Sequence, residues 1–272
     1  MSNLNSLIAS DPSAMPLSVT VPQARPFRID PEGASAAFLL LHGFTGHPGE
    51  CMPLAKALAA EGYAVSAPRY PGHGTCRADF LRTKAEDWVR RAYDEYLDLR
   101  SRYDTVHVAG HSMGGLIASA VAISFDAPRL ILLAPAFEVS NGPLALAPFV
   151  APFKKVIARN RPPGDFDRAD PARMALHRDY WSDDLVSASA ELYRLNRKCR
   201  RNVGRLKSRT LVLVGERDPV VPTRVVEYLR GAAPHAASVD SLVIKGAGHC
   251  FPFDAHSVDA IRETIEWLKK TP

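Results

Sequence analysis

Thr105-Val106-His107-Val108-Ala109-Gly110-His111-Ser112-Met113-Gly114-Gly115-Leu116 is the stretch on which the reading of the whole chain turns. A short β-forming run meets a G-x-S-x-G pattern, and a small-residue helix pattern follows from Leu116, so the segment reads strand, sharp turn, helix. Such a turn forces its central residue, Ser112, into strained backbone angles. The glycines two positions to either side let strand and helix approach closely enough to make it. The Ser112 hydroxyl is then expected at the carboxyl end of a sheet, as a nucleophile.

A serine hydroxyl is a poor nucleophile at neutral pH and needs a base within hydrogen-bond reach, itself oriented by a carboxylate. The strand-like run Thr210 to Val214 ends in Gly215-Glu216-Arg217-Asp218-Pro219-Val220-Val221-Pro222, and the last strand-like run ends in Lys245-Gly246-Ala247-Gly248-His249. Both loops are expected at strand ends facing the serine. Asp218 is the better acid because the proline-stiffened turn after it fixes its direction; Glu216 is the alternative, otherwise a solvated loop charge. Among nine histidines, His249 alone occupies a glycine-rich loop directly after a final strand, and it is the expected base.

The oxyanion that develops on attack requires two backbone donors. One is the N–H of Met113, the residue after the nucleophile at the start of its helix. The second is expected from Leu40-Leu41-His42-Gly43-Phe44-Thr45-Gly46, whose glycines allow a sharp turn that aims the Phe44 N–H at the same point. His42 in that loop, and His73 in Pro71-Gly72-His73-Gly74-Thr75, are expected to be structural, since a second base has no task in this chemistry.

Outward from this centre, short apolar runs at Ala37 to Leu41, Ala64 to Ala67, Thr105 to Ala109, Leu130 to Leu133, Thr210 to Val214 and Ser241 to Ile244 have the character of strands buried on both faces of a parallel sheet. Helical patterns alternate with them at Pro53 to Glu61, Lys84 to Arg100, Gly114 to Ile123, Thr223 to Gly231 and His256 to Lys269. Alternating strand and helix implies an α/β sheet with right-handed crossovers. Residues 1–30 read as an N-terminal arm leading into an outer strand near Pro26 to Ile29. Residues 31–136 and 206–272 read as the α/β core. Residues 137–205 are proline- and arginine-rich, with an amphipathic stretch near Leu185 to Leu195 and no strand pattern, and read as a helical insertion above the sheet.

The 272 residues are 46% apolar and 23% charged, which excludes disorder, collagen and coiled coil. No run reaches the roughly 18 to 20 apolar residues of a membrane-spanning helix, and the first thirty residues lack the charged and apolar regions of a secretory signal. Cys51, Cys76, Cys199 and Cys250 are scattered without metal spacing, so free thiols, no metal site and a cytoplasmic location are expected. The net charge of +5 is uneven, because residues 151–209 carry 15 Lys/Arg against 7 Asp/Glu and the remainder is mildly acidic. That segment has no aromatic interleaving, zinc or helix-turn-helix signature, so nucleic acid is not an expected partner. Peripheral contact of the basic segment with an anionic membrane surface stays open.

His42-Gly43-Phe44-Thr45-Gly46, Pro68-Arg69-Tyr70-Pro71-Gly72-His73-Gly74-Thr75 followed by Asp87-Trp88, Gly110-His111-Ser112-Met113-Gly114-Gly115, Asp218-Pro219-Val220-Val221-Pro222 and Gly248-His249 together resemble the α/β-hydrolase superfamily, and within it the bacterial carboxylesterase and monoacylglycerol lipase group. The resemblance spans roughly Ala36 to Leu268. It implies an α/β-hydrolase fold with a mostly parallel eight-stranded sheet, a small helical cap between strands 6 and 7, no cofactor, and an acyl pocket under the cap. It also implies short- to medium-chain carboxylic esters, including monoacylglycerols, as substrates. An acyl-CoA thioesterase or acyltransferase would use the same residues, with Arg194, Arg197, Arg200 and Arg201 available to phosphates. A non-catalytic acyl-ligand binder would show a lost member of the set, and every member is present.

Overall fold

The run Ala36-Ala37-Phe38-Leu39-Leu40-Leu41 carries no polar side chain because the strand it forms is covered on both faces, with residues 37–41 all buried. The computed structural model describes residues 21–140, 142–164, 168 and 170–270. Its strands are β1 (Phe27–Ile29), β2 (Ala36–Leu41), β3 (Ala64–Ala67), β4 (Thr105–His111), β5 (Arg129–Leu133), β6 (Arg209–Gly215) and β7 (Ser238–Ile244). They form one sheet in the order β1-β3-β2-β4-β5-β6-β7. Only β1 runs antiparallel, paired with β3 through Arg28 and Ser66; the remaining pairs are parallel.

Against the expected eight strands, the described residues form seven. One antiparallel strand precedes β2, bounded upstream by a 3-10 turn at Pro22–Ala24 and by Pro26; residues 1–20 lie outside the described residues. Among the described residues the insertion follows the fifth strand, whereas the resemblance places it between strands 6 and 7 of eight. The expected N-terminal arm also lies mostly outside the described residues. β7 starts three residues earlier than its apolar run, at Ser238-Val239-Asp240. As the last strand in the order it is an edge, so polar residues there meet solvent at no cost.

The helices are α1 (Met52–Ala60), α2 (Arg77–Phe80), α3 (Ala85–Arg100), α4 (Met113–Phe125), α5 (Ala147–Val150), α6 (Pro171–Leu176), α7 (Val186–Asn202), α8 (Val225–Ala232) and α9 (Ser257–Lys270). Helix α3 begins where the Asp87 carboxylate accepts the Lys84 N–H at 2.8 Å, a capping bond that satisfies one orphan donor. Helix α4 buries nine of its residues, among them Leu116, Ile117 and Val121. It is hydrophobic nearly all round because the sheet lies under it and α3 and α7 lie beside it.

Between β5 and β6 lie α5, α6, a π-helical turn at His177–Trp181 and α7. Tyr180 ties this insertion to the loop after β3: its hydroxyl donates to the Gly72 carbonyl and accepts from the Thr75 N–H, each at 2.8 Å. The Arg77–Asp183 ion pair at 2.7 Å adds a second tie. From α7, the Asn196 amide donates to the Ala136 and Phe137 carbonyls. A small satellite cluster of Ala147, Val186 and Ala190 seats α5 on α7 apart from the main core.

Candidate active site

Ser112 sits at φ 54°, ψ −115°, between β4 and α4, a backbone conformation that L residues avoid and that surrounding structure must impose. The flanking glycines show how. A Cβ on Gly110 would lie 2.1 Å from the Gly114 carbonyl oxygen, and one on Gly114 would lie 2.1 Å from the Leu41 carbonyl oxygen. The turn is thus clamped between β4, the first turn of α4 and the end of β2, and the Ser112 N–H is held by the Leu133 carbonyl at 2.9 Å. Its side chain ends at the carboxyl edge of the sheet, 8% exposed.

The loops after β6 and β7 converge on it. His249 Nε2 lies 3.0 Å from Ser112 Oγ, and His249 Nδ1 lies 2.7 Å from Asp218 Oδ2. With Asp218 ionised, Nδ1 carries the proton and donates to it, which leaves Nε2 free to accept from the serine hydroxyl. The second Asp218 oxygen accepts the Val220 and Val221 N–H groups at 2.7 and 2.9 Å. Burial works against ionisation of Asp218, but the hydrogen bond and charge of His249 and these two amides outweigh it and hold the carboxyl below its ordinary value. Glu216 turns elsewhere: its Oε2 accepts the Gly246 N–H at 2.7 Å. It therefore ties the β7 turn to the β6 loop and does not reach the imidazole.

β2 and β4 are paired in register, Leu41 opposite Gly110, so the turn after β2 emerges beside the Ser112 turn. A Cβ on Gly43 would sit 3.6 Å from Ser112 Cβ. Thr45 adopts φ 58°, and the Gly46 N–H closes the turn on the Gly43 carbonyl at 3.2 Å. Among the described residues neither the Phe44 N–H nor the Met113 N–H has an acceptor, so both donors stand unspent beside the serine. The Met113 side chain is fully buried, and the Phe44 ring packs on Phe80 and Trp88 at 5.4 and 6.3 Å.

His42 and His73 are both fully buried and lie against one another, ring centroids 5.1 Å apart, with Tyr70 against each. Burial drives the His73 ring down to about 3, and burial with the nearby His73 drives His42 well below its ordinary range. Neutral and enclosed, they join the packing between the loops after β2 and β3. His111 was not singled out by sequence reasoning, yet its Nε2 lies 3.0 Å from the His249 carbonyl oxygen. Its place directly before Ser112 in the motif was the available signal.

Three of the four α7 arginines lie together and the fourth turns away. Arg194, Arg197 and Arg201 share the solvent face at helical spacing, whereas Arg200 stacks over the Tyr228 ring at 4.2 Å and donates to the Phe137 carbonyl. A groove of about 910 Å³ runs between α3, α4 and α7 over Val89, Ile123 and Leu195 and holds none of the residues around Ser112. Cys51, Cys76, Cys199 and Cys250 are all unpaired thiols. Among the described residues no cluster of His, Cys, Asp or Glu has metal-holding geometry. No helix among them is long and apolar enough to cross a membrane.

A family described as "Alpha/beta hydrolase family" matches residues 38–264. The chain is 45% identical over 86 residues to a thermostable monoacylglycerol lipase of Bacillus sp. (strain H-257), a match covering 32% of this chain and 34% of that enzyme. It is 24% identical over 243 residues to a carboxylesterase of Bacillus subtilis (strain 168), covering 88% of this chain and 94% of that one. Among solved structures, one described under LipS and LipT, two metagenome-derived lipolytic enzymes, superposes with a TM-score of 0.78 at 22% identity, over 92% of this chain and 99% of its own.

Proposed function

On the premise that the chain belongs to the alpha/beta hydrolase family, we propose that it is a serine carboxylesterase of the monoacylglycerol lipase kind, acting on short- to medium-chain esters. One observation carries the reading: the Ser112, His249 and Asp218 side chains form a continuous hydrogen-bond chain beside two unspent backbone donors. Ser112 Oγ attacks the acyl carbon while His249 Nε2 takes its proton. The resulting oxyanion is held by the Phe44 and Met113 N–H groups. The alcohol leaves with the proton returned by His249, and an acyl group remains on Ser112. Water then gives a proton to His249 Nε2, attacks the acyl carbon, and the carboxylic acid departs as Ser112 recovers its proton. Asp218 stays ionised throughout, fixes the imidazole tautomer and stabilises the imidazolium that forms twice per cycle.

The names of the relatives support an acyl ester as the substrate class, since they are lipases and esterases. We extend the reading to the surface of the insertion, where Leu146, Phe149 and Phe153 are exposed beside Lys154 and Lys155. An apolar edge flanked by lysines suits peripheral contact with an anionic lipid surface.

The test is a series of p-nitrophenyl esters from acetate to palmitate, assayed with the wild type and Ser112→Ala side by side. The reading expects turnover by the wild type, an optimum at short to medium chains, and a loss of several orders of magnitude in the variant. Turnover of acyl-CoA but of no oxygen ester would replace it with the thioesterase reading.

A further inference from the structure

His111 closes β4, one residue before Ser112, and is 7% exposed. Its Nε2 lies 3.0 Å from the His249 carbonyl oxygen, so Nε2 must carry the hydrogen and donate it. Among the described residues no other hydrogen bond reaches the His249 backbone. The loop leading to it is held earlier, by Glu216 on the Gly246 N–H and by the Arg217 N–H on the Ala247 carbonyl. Past Gly248, a residue without a side chain to lock its torsions, His111 holds the His249 backbone while Asp218 holds its ring.

The ring is also fixed in orientation. Phe253 meets it edge-on at 5.5 Å and 83°, and a Cβ on Gly43 would come within 3.1 Å of its Nδ1, so the oxyanion turn packs directly on it. The His111 and His249 rings lie 4.9 Å apart. At that separation a charge on His111 would oppose the imidazolium that His249 must form. Burial first, and the neighbouring His249 second, pull His111 down to about 3, and it stays neutral.

We propose that His111 is a positioning residue: by donating its Nε2–H to the His249 carbonyl, it sets the imidazole of the base over Ser112 Oγ and ties base, nucleophile and oxyanion turn to one ring. The assignment deepens the esterase reading and rests on it. It explains why a residue carrying no proton in the reaction occupies the position before the nucleophile with one ring nitrogen committed to a carbonyl.

The test compares His111→Phe, which keeps a ring and loses the donor, with His111→Gln, whose amide N–H reaches the place of Nε2–H. Three readouts are taken: kcat and KM on p-nitrophenyl butyrate, melting temperature, and the far-downfield proton resonance of the His249 Nδ1–H···Asp218 bond, which needs no substrate. The phenylalanine variant is expected to lose about 10- to 100-fold in kcat with KM within about twofold, because small misplacements of a reacting group cost rate and not binding. Its downfield resonance should shift or broaden. The glutamine variant should recover most of both. If His111→Phe does not fold, His111→Asn takes its place, with the same amide one methylene too short to reach the carbonyl. A phenylalanine or asparagine variant with wild-type kcat and an unchanged resonance overturns the proposal. So does a glutamine variant that is equally impaired while the resonance is unchanged in both. A wild type that hydrolyses no ester, with a resonance still moved by His111→Phe, would count against the esterase reading and leave the positioning contact standing.

Discussion

Asp218 divides its two oxygens between His249 and its own turn: Oδ2 meets His249 Nδ1 at 2.7 Å, while Oδ1 takes the Val220 and Val221 amides. The side chain has no exposed surface, so no water competes for either oxygen. An asparagine here would keep its carbonyl oxygen on the two amides and turn its NH2 toward Nδ1. The imidazole would then carry its proton on Nε2 and could no longer accept one from Ser112. Asp218→Asn is therefore expected to fold, with kcat reduced about 10³- to 10⁴-fold, the scale of such a tautomer error in another serine hydrolase. Steady-state kinetics on p-nitrophenyl butyrate reads it, and a loss under tenfold would remove Asp218 from the role.

The buried histidines make the fold sensitive to acid. His73 and His111 are pulled to about 3 and His107 to about 4, each chiefly by burial, against an ordinary value near 6.5. Between those limits the unfolded chain binds more protons than the folded one, so stability rises with pH there. It is fully present above about 6.5 and is lost as pH falls toward 4 and 3. The melting temperature should drop steadily from pH 7 to pH 4. His107→Phe, at a site already packed against Phe38 and Tyr63, should flatten that slope. An identical slope in the variant would show that His107 does not contribute to it.

Two glycine substitutions should separate close approach from mere flexibility. Gly114→Ala drives a Cβ to 2.1 Å from a backbone oxygen of β2, where nothing can yield, and is expected to give insoluble or unfolded protein. Gly231→Ala, inside α8 with no atom within 4 Å of the new methyl, should stabilise by about 0.5–1 kcal/mol through helix propensity alone. Chemical denaturation measures the second and soluble yield the first. A soluble, native-like Gly114→Ala protein would contradict the clamped turn.

If the insertion touches lipid, the contact should run through Phe149 and Phe153, respectively 73% and 91% exposed. Vesicles containing an anionic lipid are expected to sediment Ser112→Ala protein, with less binding at high salt because Lys154 and Lys155 are solvent-exposed charges. Phe149→Ser with Phe153→Ser should abolish co-sedimentation and leave hydrolysis of soluble butyrate esters unchanged. Binding that survives the double substitution would sink the assignment, as would a concentration-dependent dimer that these substitutions dissolve.

What could be read without the structure was whatever depends on near neighbours in the chain. Apolar runs such as Phe38 to Leu41 announce strands covered on both faces, and the Gly110 to Gly114 spacing announces a turn that only glycines permit. Both are local consequences of burial and backbone sterics. The start of β7 was not legible, since an edge strand has no need of apolar residues at Ser238 and Asp240. Nor was the π-helical turn at His177–Trp181, whose Tyr180 hydroxyl is fixed by Gly72 and Thr75 from a distant loop.

The sequence by itself determined that this is an alternating α/β chain with a serine in a strained turn, and that two later loops hold an acid and a histidine. Tertiary structure decided which groups meet. Glu216 and Asp218 are two residues apart on the same loop, yet one accepts the Gly246 amide and the other the His249 ring. That choice is set by how the loops after β6 and β7 lie side by side. Ser112 and His249 come within 3.0 Å across 137 positions of chain, and His111 finds the His249 carbonyl across 138. Contacts of this kind leave no periodicity in the sequence, because they are set by the packing of whole elements and not by the preferences of the residues between them.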